Sequence, residues 1–191
     1  MEAFRRRLTA AAMHLFAEQG YEAVTMRGVG DALGVSAMTP YRYVAGKDEL
    51  FALVRAESFR RFADRLEQAL AAGRGEPLRK LLRLKRAYVD FALDEPDAYR
   101  IMFELRQQTP RLRELAAESR RAFGALHRTV IEAVEAGDLE GDALTIAHLL
   151  WANTHGLVSL HLAGKLTMGR SIRALAAAPH ELAPYLPGRR S

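Results

Sequence analysis

Residues 24–51 read VTMRGVGDALGVSAMTPYRYVAGKDELF, and this stretch limits the fold of the chain more than any other. Thr25 is an N-cap candidate, because its hydroxyl can accept a backbone N–H left free in the first turn of a helix. Met26, Val29, Ala32 and Leu33 then recur on one helical face. Gly34 stands where a helix closes through a left-handed residue, a conformation glycine adopts without steric penalty. Ser36 can cap a following helix that carries Tyr41, Arg42 and Tyr43. Aromatic and basic side chains suit phosphates and base edges. A helix, a short glycine turn and a second helix make the helix-turn-helix arrangement, whose second helix enters the major groove of DNA.

Upstream, Leu8, Ala12, Leu15 and Phe16 sit at helical spacing and Gly20 closes the run, so a helix is expected over 2–19. The arginines at 5–7 ahead of this apolar run mimic a targeting signal. However, His14 interrupts the run, and an amphipathic helix is expected instead. The series Ala12, Leu15, Phe16, Gly20, Tyr21, Thr25, Met26, Arg27, Ala32, Leu33, Gly34, Val35, Ser36, Tyr41, Lys47, Asp48, Glu49, Leu50 and Phe51 resembles the DNA-binding domain of the TetR family of bacterial regulators. The resemblance covers residues 8–51. It implies phosphate contacts from Thr25, Tyr41 and Lys47, and base-edge contacts from Ala37, Met38, Thr39, Arg42 and Tyr43. Arg27 and Ser36 complete the DNA-facing set. Arg42 can read guanine, whereas Ala37 and Met38 offer apolar contact, for example to thymine methyl groups. Core packing is the competing role for Tyr41 and Tyr43.

Two departures stand out. Gly28 and Gly30 lie inside the expected helix 25–33, where each glycine costs about 0.5–1 kcal/mol relative to alanine. Either the helix packs closely on its neighbour, taken to be the first helix, or the domain is soft. Pro40 lies inside the expected recognition helix 36–43. With Ser36 as cap, Pro40 removes the N–H that would bond the Ser36 carbonyl, and it biases Thr39 away from helical angles. With Thr39 as cap, Pro40 becomes the favoured first helical residue. The family pattern points to Ser36.

The remaining chain has helical periodicity and no β pattern. Expected helices are 47–71, 77–93, 96–104, one opening at Thr109-Pro110 and ending at Gly137, 142–163 and 171–178. The tail 179–191 is expected to fray or dock loosely. The fold class is therefore all-α: an N-terminal three-helix helix-turn-helix domain plus a C-terminal helical bundle, about nine helices. Expected divisions are 1–46 for DNA binding, 47–72 for a connecting helix, and 73–191 for ligand binding and dimerisation. Of 191 residues 49% are hydrophobic, enough for a real core and too many for a disordered chain. No cysteine is present, which excludes disulfides and thiolate metal sites and fits a reducing cytoplasm. No apolar run approaches the ~20 residues that span a bilayer, so no membrane partner is expected.

The net charge of +5 favours a polyanionic partner. That excess does not lie in the DNA-binding stretch. Up to Phe51, six basic residues (Arg5, Arg6, Arg7, Arg27, Arg42, Lys47) meet six acidic ones (Glu2, Glu18, Glu22, Asp31, Asp48, Glu49). The densest basic run is Arg79, Lys80, Arg83, Lys85 and Arg86. It reads as the solvated side of an amphipathic helix, with an anion site as the alternative.

Asp90–Met102 followed by Phe103 and Glu104 resembles the fifth and sixth helices of such regulators. Trp151, His155 and Gly156 resemble the Trp-His-Gly signature of one C-terminal domain type in the family. The resemblance implies a small-molecule effector in a pocket of Phe91, Tyr99, Met102, Phe103, Phe123, His127, Trp151 and His155, with plain core as the alternative. His148 and Asn153 are further polar candidates. It also implies a homodimer formed through the last two helices, and a palindromic double-stranded operator. No His-Glu-x-x-His, Glu-x-x-His, phosphate loop or Gly-x-Ser-x-Gly pattern occurs, so no enzyme, cofactor or metal is expected. The function expected is a ligand-responsive DNA-binding regulator, most simply a repressor. The alternative is a helical small-molecule receptor or enzyme with a vestigial helix-turn-helix.

Overall fold

The computed structural model describes residues 2–73, 75–103, 113–167 and 169–188. Among these residues there are eight α-helices, two short 3-10 helices and no strand. They are α1 (Glu2–Ala23), α2 (Met26–Leu33), α3 (Lys47–Ala71), α4 (Pro77–Asp94), α5 (Pro96–Phe103), α6 (Arg113–Glu135), α7 (Ala143–Leu162) and α8 (Ile172–Ala176). The 3-10 helices are Pro40–Arg42 and His180–Tyr185. The expected helix end at Glu104, the Thr109-Pro110 start signal and the basic end of the tail lie outside the described residues.

The chain divides into two compact units, Met1–Arg61 with Glu95–Arg120, and Phe62–Asp94 with Arg121–Ser191. These units do not follow the sequence divisions at residues 46 and 72. α3 is one unbroken helix without glycine or proline, so its amphipathic pattern carries on past the point where its packing partners change.

In the first unit, α1 bends at Gly20, whose φ of 77° is open to glycine at little cost. Past this bend Tyr21 turns into the core beside Phe16 and Phe51, with ring centroids 5.9 and 5.1 Å away. Phe16 meets Phe51 edge to face at 4.9 Å, the geometry aromatic quadrupoles favour. Phe16 and Phe51 are fully buried, with Leu8, Ala12, Val29, Leu50 and Val54 completing the core. α5 packs against α1, and Tyr99, Phe103 and Phe59 form a second aromatic group.

The second unit is built on the inner faces of α4, α6 and α7. Leu81, Val130, Ala133, Ile146 and Leu150 form its core with Leu139 and Leu182. Asp142 caps α7 by accepting from Thr145 N at 2.8 Å. Ser171 caps α8 through Ala174 N, and the carbonyl of Tyr185 accepts from Glu140 N at 2.7 Å, docking the second 3-10 helix. Arg121 holds Asp64 at 2.5 Å and Glu67 at 2.6 Å. Its hydrogen bonds hold the Glu67 carboxyl below the usual range.

The Tyr21 hydroxyl donates to the Asp48 carboxylate. Burial, reinforced by that carboxylate, pushes the Tyr21 phenol up to about 12 from 10.0. The folded state therefore favours the neutral phenol. Its contribution is intact below about pH 10 and lost as pH rises from there through about 12. Tyr21→Phe is expected to remove this step from a pH titration of unfolding free energy, while leaving the slope near neutral pH unchanged. An unaltered alkaline slope in the variant would contradict the assignment.

Candidate functional site

The helix-turn-helix begins where the sequence places it. Thr25 is extended (φ −120°, ψ 151°), and its hydroxyl accepts from Gly28 N at 3.0 Å. Gly34 closes α2 in the left-handed conformation at φ 67°. The two internal glycines have different reasons. A Cβ on Gly30 would stand 3.2 Å from Ala37 Cα and Ser36 O and 3.3 Å from Val35 O. Here α2 touches the backbone of the turn, not α1, and a methyl group would fit only if that backbone gave by a few tenths of an ångström. A Cβ on Gly28 meets only the Thr25 hydroxyl, at 3.3 Å.

The second helix of the motif departs from expectation. Residues 37–39 are turns, and the helical part is a single 3-10 turn at Pro40–Arg42. Pro40 has no N–H to give the Ser36 carbonyl, so Thr39 N takes that carbonyl at 2.9 Å. Arg42 N to Thr39 O and Tyr43 N to Pro40 O continue the tighter spacing at 3.1 and 3.0 Å. Neither cap alternative is realised through a side chain onto backbone. The Ser36 and Thr39 hydroxyls bond one another at 3.0 Å, and Thr39 keeps helical angles (φ −63°, ψ −44°) despite the proline after it.

The DNA-facing set divides by exposure. Met38 is 69% and Tyr41 45% exposed, and Thr25, Arg27, Ser36 and Arg42 are also exposed, whereas Ala37 and Thr39 are half-buried. Tyr43 and Lys47 are turned inward. Tyr43 stacks on Phe4 of α1 with centroids 4.7 Å apart. The Lys47 ammonium donates to Tyr21 O at 3.1 Å and Glu22 O at 3.2 Å, and lies 4.3 Å from the Tyr21 ring centroid. It thus satisfies carbonyls at the end of α1, where a cation is favoured. The outward positions are therefore 25, 27, 36, 38, 41 and 42, and the inward Tyr43 and Lys47 fix the motif to α1.

A second candidate lies in the second unit. A cavity of about 40 Å³ is lined by Leu66, Leu81, Leu82, Leu84, Lys85, Tyr88, Leu126, Leu150, Trp151, Thr154 and Leu182. Of the eight pocket residues expected from the sequence, Trp151 lines this cavity. Phe123 gathers His127, Trp151 and the exposed His148 around it, with centroids 6.0, 5.7 and 4.6 Å away. His155 lies beside Tyr88, with Nδ1 3.4 Å from the hydroxyl. Phe91 is core, packed on Phe62. Tyr99, Met102 and Phe103 belong to the first unit. Tyr88 and Thr154 stand outside the pocket set expected from the sequence, and Lys85 enters that reading only through the basic run. The signal was present, because Leu81, Leu84, Lys85, Tyr88 and Val89 fall at the spacing of one helical face and all are buried. The basic run splits accordingly: Arg79 and Arg86 are exposed, Lys80 pairs with Glu132 at 2.6 Å, and Lys85 turns inward. Among the described residues no helix is long and apolar enough to cross a membrane, and no group of three or more acidic or histidine side chains stands ready to hold a metal.

Residues 8–54 match the family model for bacterial regulatory proteins, tetR family, and residues 81–180 match that for the tetracyclin repressor-like C-terminal domain. Among solved structures, a protein from Rhodococcus sp. RHA1 is 25% identical with a TM-score of 0.83, covering 95% of each chain. The TetR family transcriptional regulator PfmR from Thermus thermophilus is 21% identical with a TM-score of 0.74, over 97% of this chain and 100% of its own. A TetR family regulator from Marinobacter aquaeolei VT8 is 19% identical with a TM-score of 0.73, over 91% of each. A comparison with curated proteins finds no match.

Gly30→Ala is expected to destabilise the protein by about 1–3 kcal/mol. Overpacking against rigid backbone outweighs the roughly 0.5–1 kcal/mol that alanine gains in a helix. Gly28→Ala, opposed by a rotatable hydroxyl alone, is expected to lie near neutral. Urea denaturation of both variants decides. A Gly30→Ala protein as stable as its parent would contradict the close approach.

Proposed function

This chain belongs to the TetR family of bacterial regulators, and on that premise we propose that it is a ligand-responsive repressor that binds a palindromic operator as a homodimer in the cytoplasm. DNA-binding transcription regulation follows from the family and from the helix-turn-helix. The observation that carries the operator reading is the outward presentation of Met38, Tyr41 and Arg42 from a turn braced on both sides. Arg42 supplies donors for guanine and Met38 an apolar surface for thymine methyl groups. Tyr41, Thr25 and Arg27 supply backbone contacts that set register. Lys47 contributes by holding α1.

The homodimer reading is supported by α7. Between Asp142 and Lys165 the sequence carries no Asp, Glu, Lys or Arg. Yet Leu144, Leu149 and Leu160 are 46–50% exposed, and Ala152 and Asn153 lie on the same outward side. An uncharged, apolar helix face is what a self-complementary interface needs. α8 spans only five residues and buries Ile172 and Ala176 within its own unit, so α7 dominates this interface. A dimer sets two recognition turns against half-sites about one DNA turn, ~34 Å, or a multiple of it, apart. The cavity at Trp151 is the effector site. An effector that prefers one conformation shifts the population away from the DNA-competent spacing.

Arg42→Ala is expected to weaken binding to the selected operator by about 1–3 kcal/mol and to relax preference at one base pair in each half-site. Leu149→Glu is expected to yield a folded monomer by light scattering, with operator affinity reduced at least tenfold. A dimeric Leu149→Glu protein would remove α7 from the interface. An Arg42→Ala protein with parental preference would remove Arg42 from base readout.

A further inference from the structure

We infer that Met38 is an oxidation-sensitive modification site, at which a hydroperoxide converts the thioether to a sulfoxide and releases the protein from its operator. This rests on reading Met38 as a base contact, and it adds a regulation of that same site. Met38 stands in the turn of residues 37–39 and is 69% exposed. Met13, Met26 and Met102 are 7%, 7% and 1% exposed, so among the described methionines an oxidant reaches Met38 first. The chain has no cysteine, hence no thiolate to intercept the oxidant. The contacts that brace the turn run elsewhere, through the Ser36 and Thr39 hydroxyls, Tyr43 on Phe4 and Lys47 on the end of α1. An oxygen added to the Met38 sulfur therefore changes the reading surface and leaves its support in place.

The step is a two-electron oxygen transfer. A lone pair of the thioether sulfur attacks one oxygen of the hydroperoxide, an S–O bond forms and the O–O bond breaks. The departing oxygen takes the proton of the attacked one and leaves as water from hydrogen peroxide, or as an alcohol from an organic hydroperoxide. Sulfur is oxidised and the peroxide reduced. The product is polar and chiral where the thioether was apolar and adaptable. Its new oxygen is an acceptor. Pressed against a thymine methyl group it loses water and gains no hydrogen bond, which costs free energy. The side chain is exposed in the free protein, so a methionine sulfoxide reductase can reach it and reverse the change. An operator bound over the turn covers the same sulfur, and the free protein is the form that reacts.

The full-length protein is treated with hydrogen peroxide, and binding to the operator selected from random duplexes is measured before and after. Each sample is mapped by peptide mass. The expected result is one oxygen gained at Met38 ahead of Met13, Met26 and Met102, with operator affinity lower by about tenfold, the scale of one mismatched base pair. Methionine sulfoxide reductases for both epimers are expected to restore the affinity, and operator added before the peroxide is expected to slow oxidation of Met38. In Met38→Leu, treated and untreated samples are expected to bind alike, whatever the affinity of the variant itself. Oxidised Met38 with unchanged affinity overturns the inference and leaves the operator reading standing on its consensus. An equal loss of affinity in the parent and in Met38→Leu overturns it too, by placing the sensitive group elsewhere. Oxidation that reaches the buried methionines first does the same. A library that yields no consensus fails before any oxidant is added, and overturns the operator reading and the inference together.

Discussion

At residue 30 the backbone of α2 and the backbone of the turn at 35–37 come so near that a methyl group between them would force the turn to give by a few tenths of an ångström. This close approach ties the turn to α2 just ahead of residues 38–42. The departing turn is then fastened at its far side, by Tyr43 against Phe4 and by Lys47 and Asp48 against the end of α1. A single 3-10 turn has weak internal hydrogen bonding and little length to propagate it. Here its geometry is imposed from outside, by packing on α1 and α2. A short, braced turn can present Met38, Tyr41 and Arg42 in a fixed arrangement that a marginal free helix of the same length could not keep.

The same bracing explains how a stretch with zero net charge can face a polyanion. Of its cations, Lys47 is committed to carbonyls and the Tyr21 ring, and Arg5 to Glu114 at 3.1 Å. Arg27 and Arg42 are exposed beside the turn. Local placement therefore outweighs net charge, because screening at physiological salt leaves only charges within about 8 Å effective. Farther along, Glu57 shows the balance inside a charged cluster. Burial pushes its carboxyl up, but hydrogen bonds from Arg60 and Arg61 outweigh it and leave the carboxyl below its usual range.

Much of this was legible from local chemistry. Thr25 as cap, Gly20 as break and Gly34 as left-handed close each follow from properties of one residue and appear in the structure as expected. Pro40 was recognised as a conflict. Its resolution was not legible, because the choice between an α turn and a 3-10 turn depends on where the Ser36 carbonyl finds a donor. The reason for Gly30 was half legible, in that close packing was expected but against α1. The cavity was the least legible part. The aromatic residues that the sequence offers as lining include several in ring contacts, Phe91 on Phe62 and Tyr99 beside Phe103. Leucines and one inward lysine do the lining. A lysine in phase with the buried stripe of α4 was the available signal, and the basic run around it concealed the phase.

On the reading proposed above, this braced turn reads DNA sequence as one half of a symmetric pair. The most direct measurement is enrichment of protein-bound duplexes from a random library at near-physiological salt, followed by sequencing. The expected result is a palindromic consensus whose half-sites lie one helical turn, or a multiple of it, apart. Folded, dimeric protein that enriches no consensus would contradict it, and would favour a helical small-molecule receptor whose helix-turn-helix no longer reads DNA.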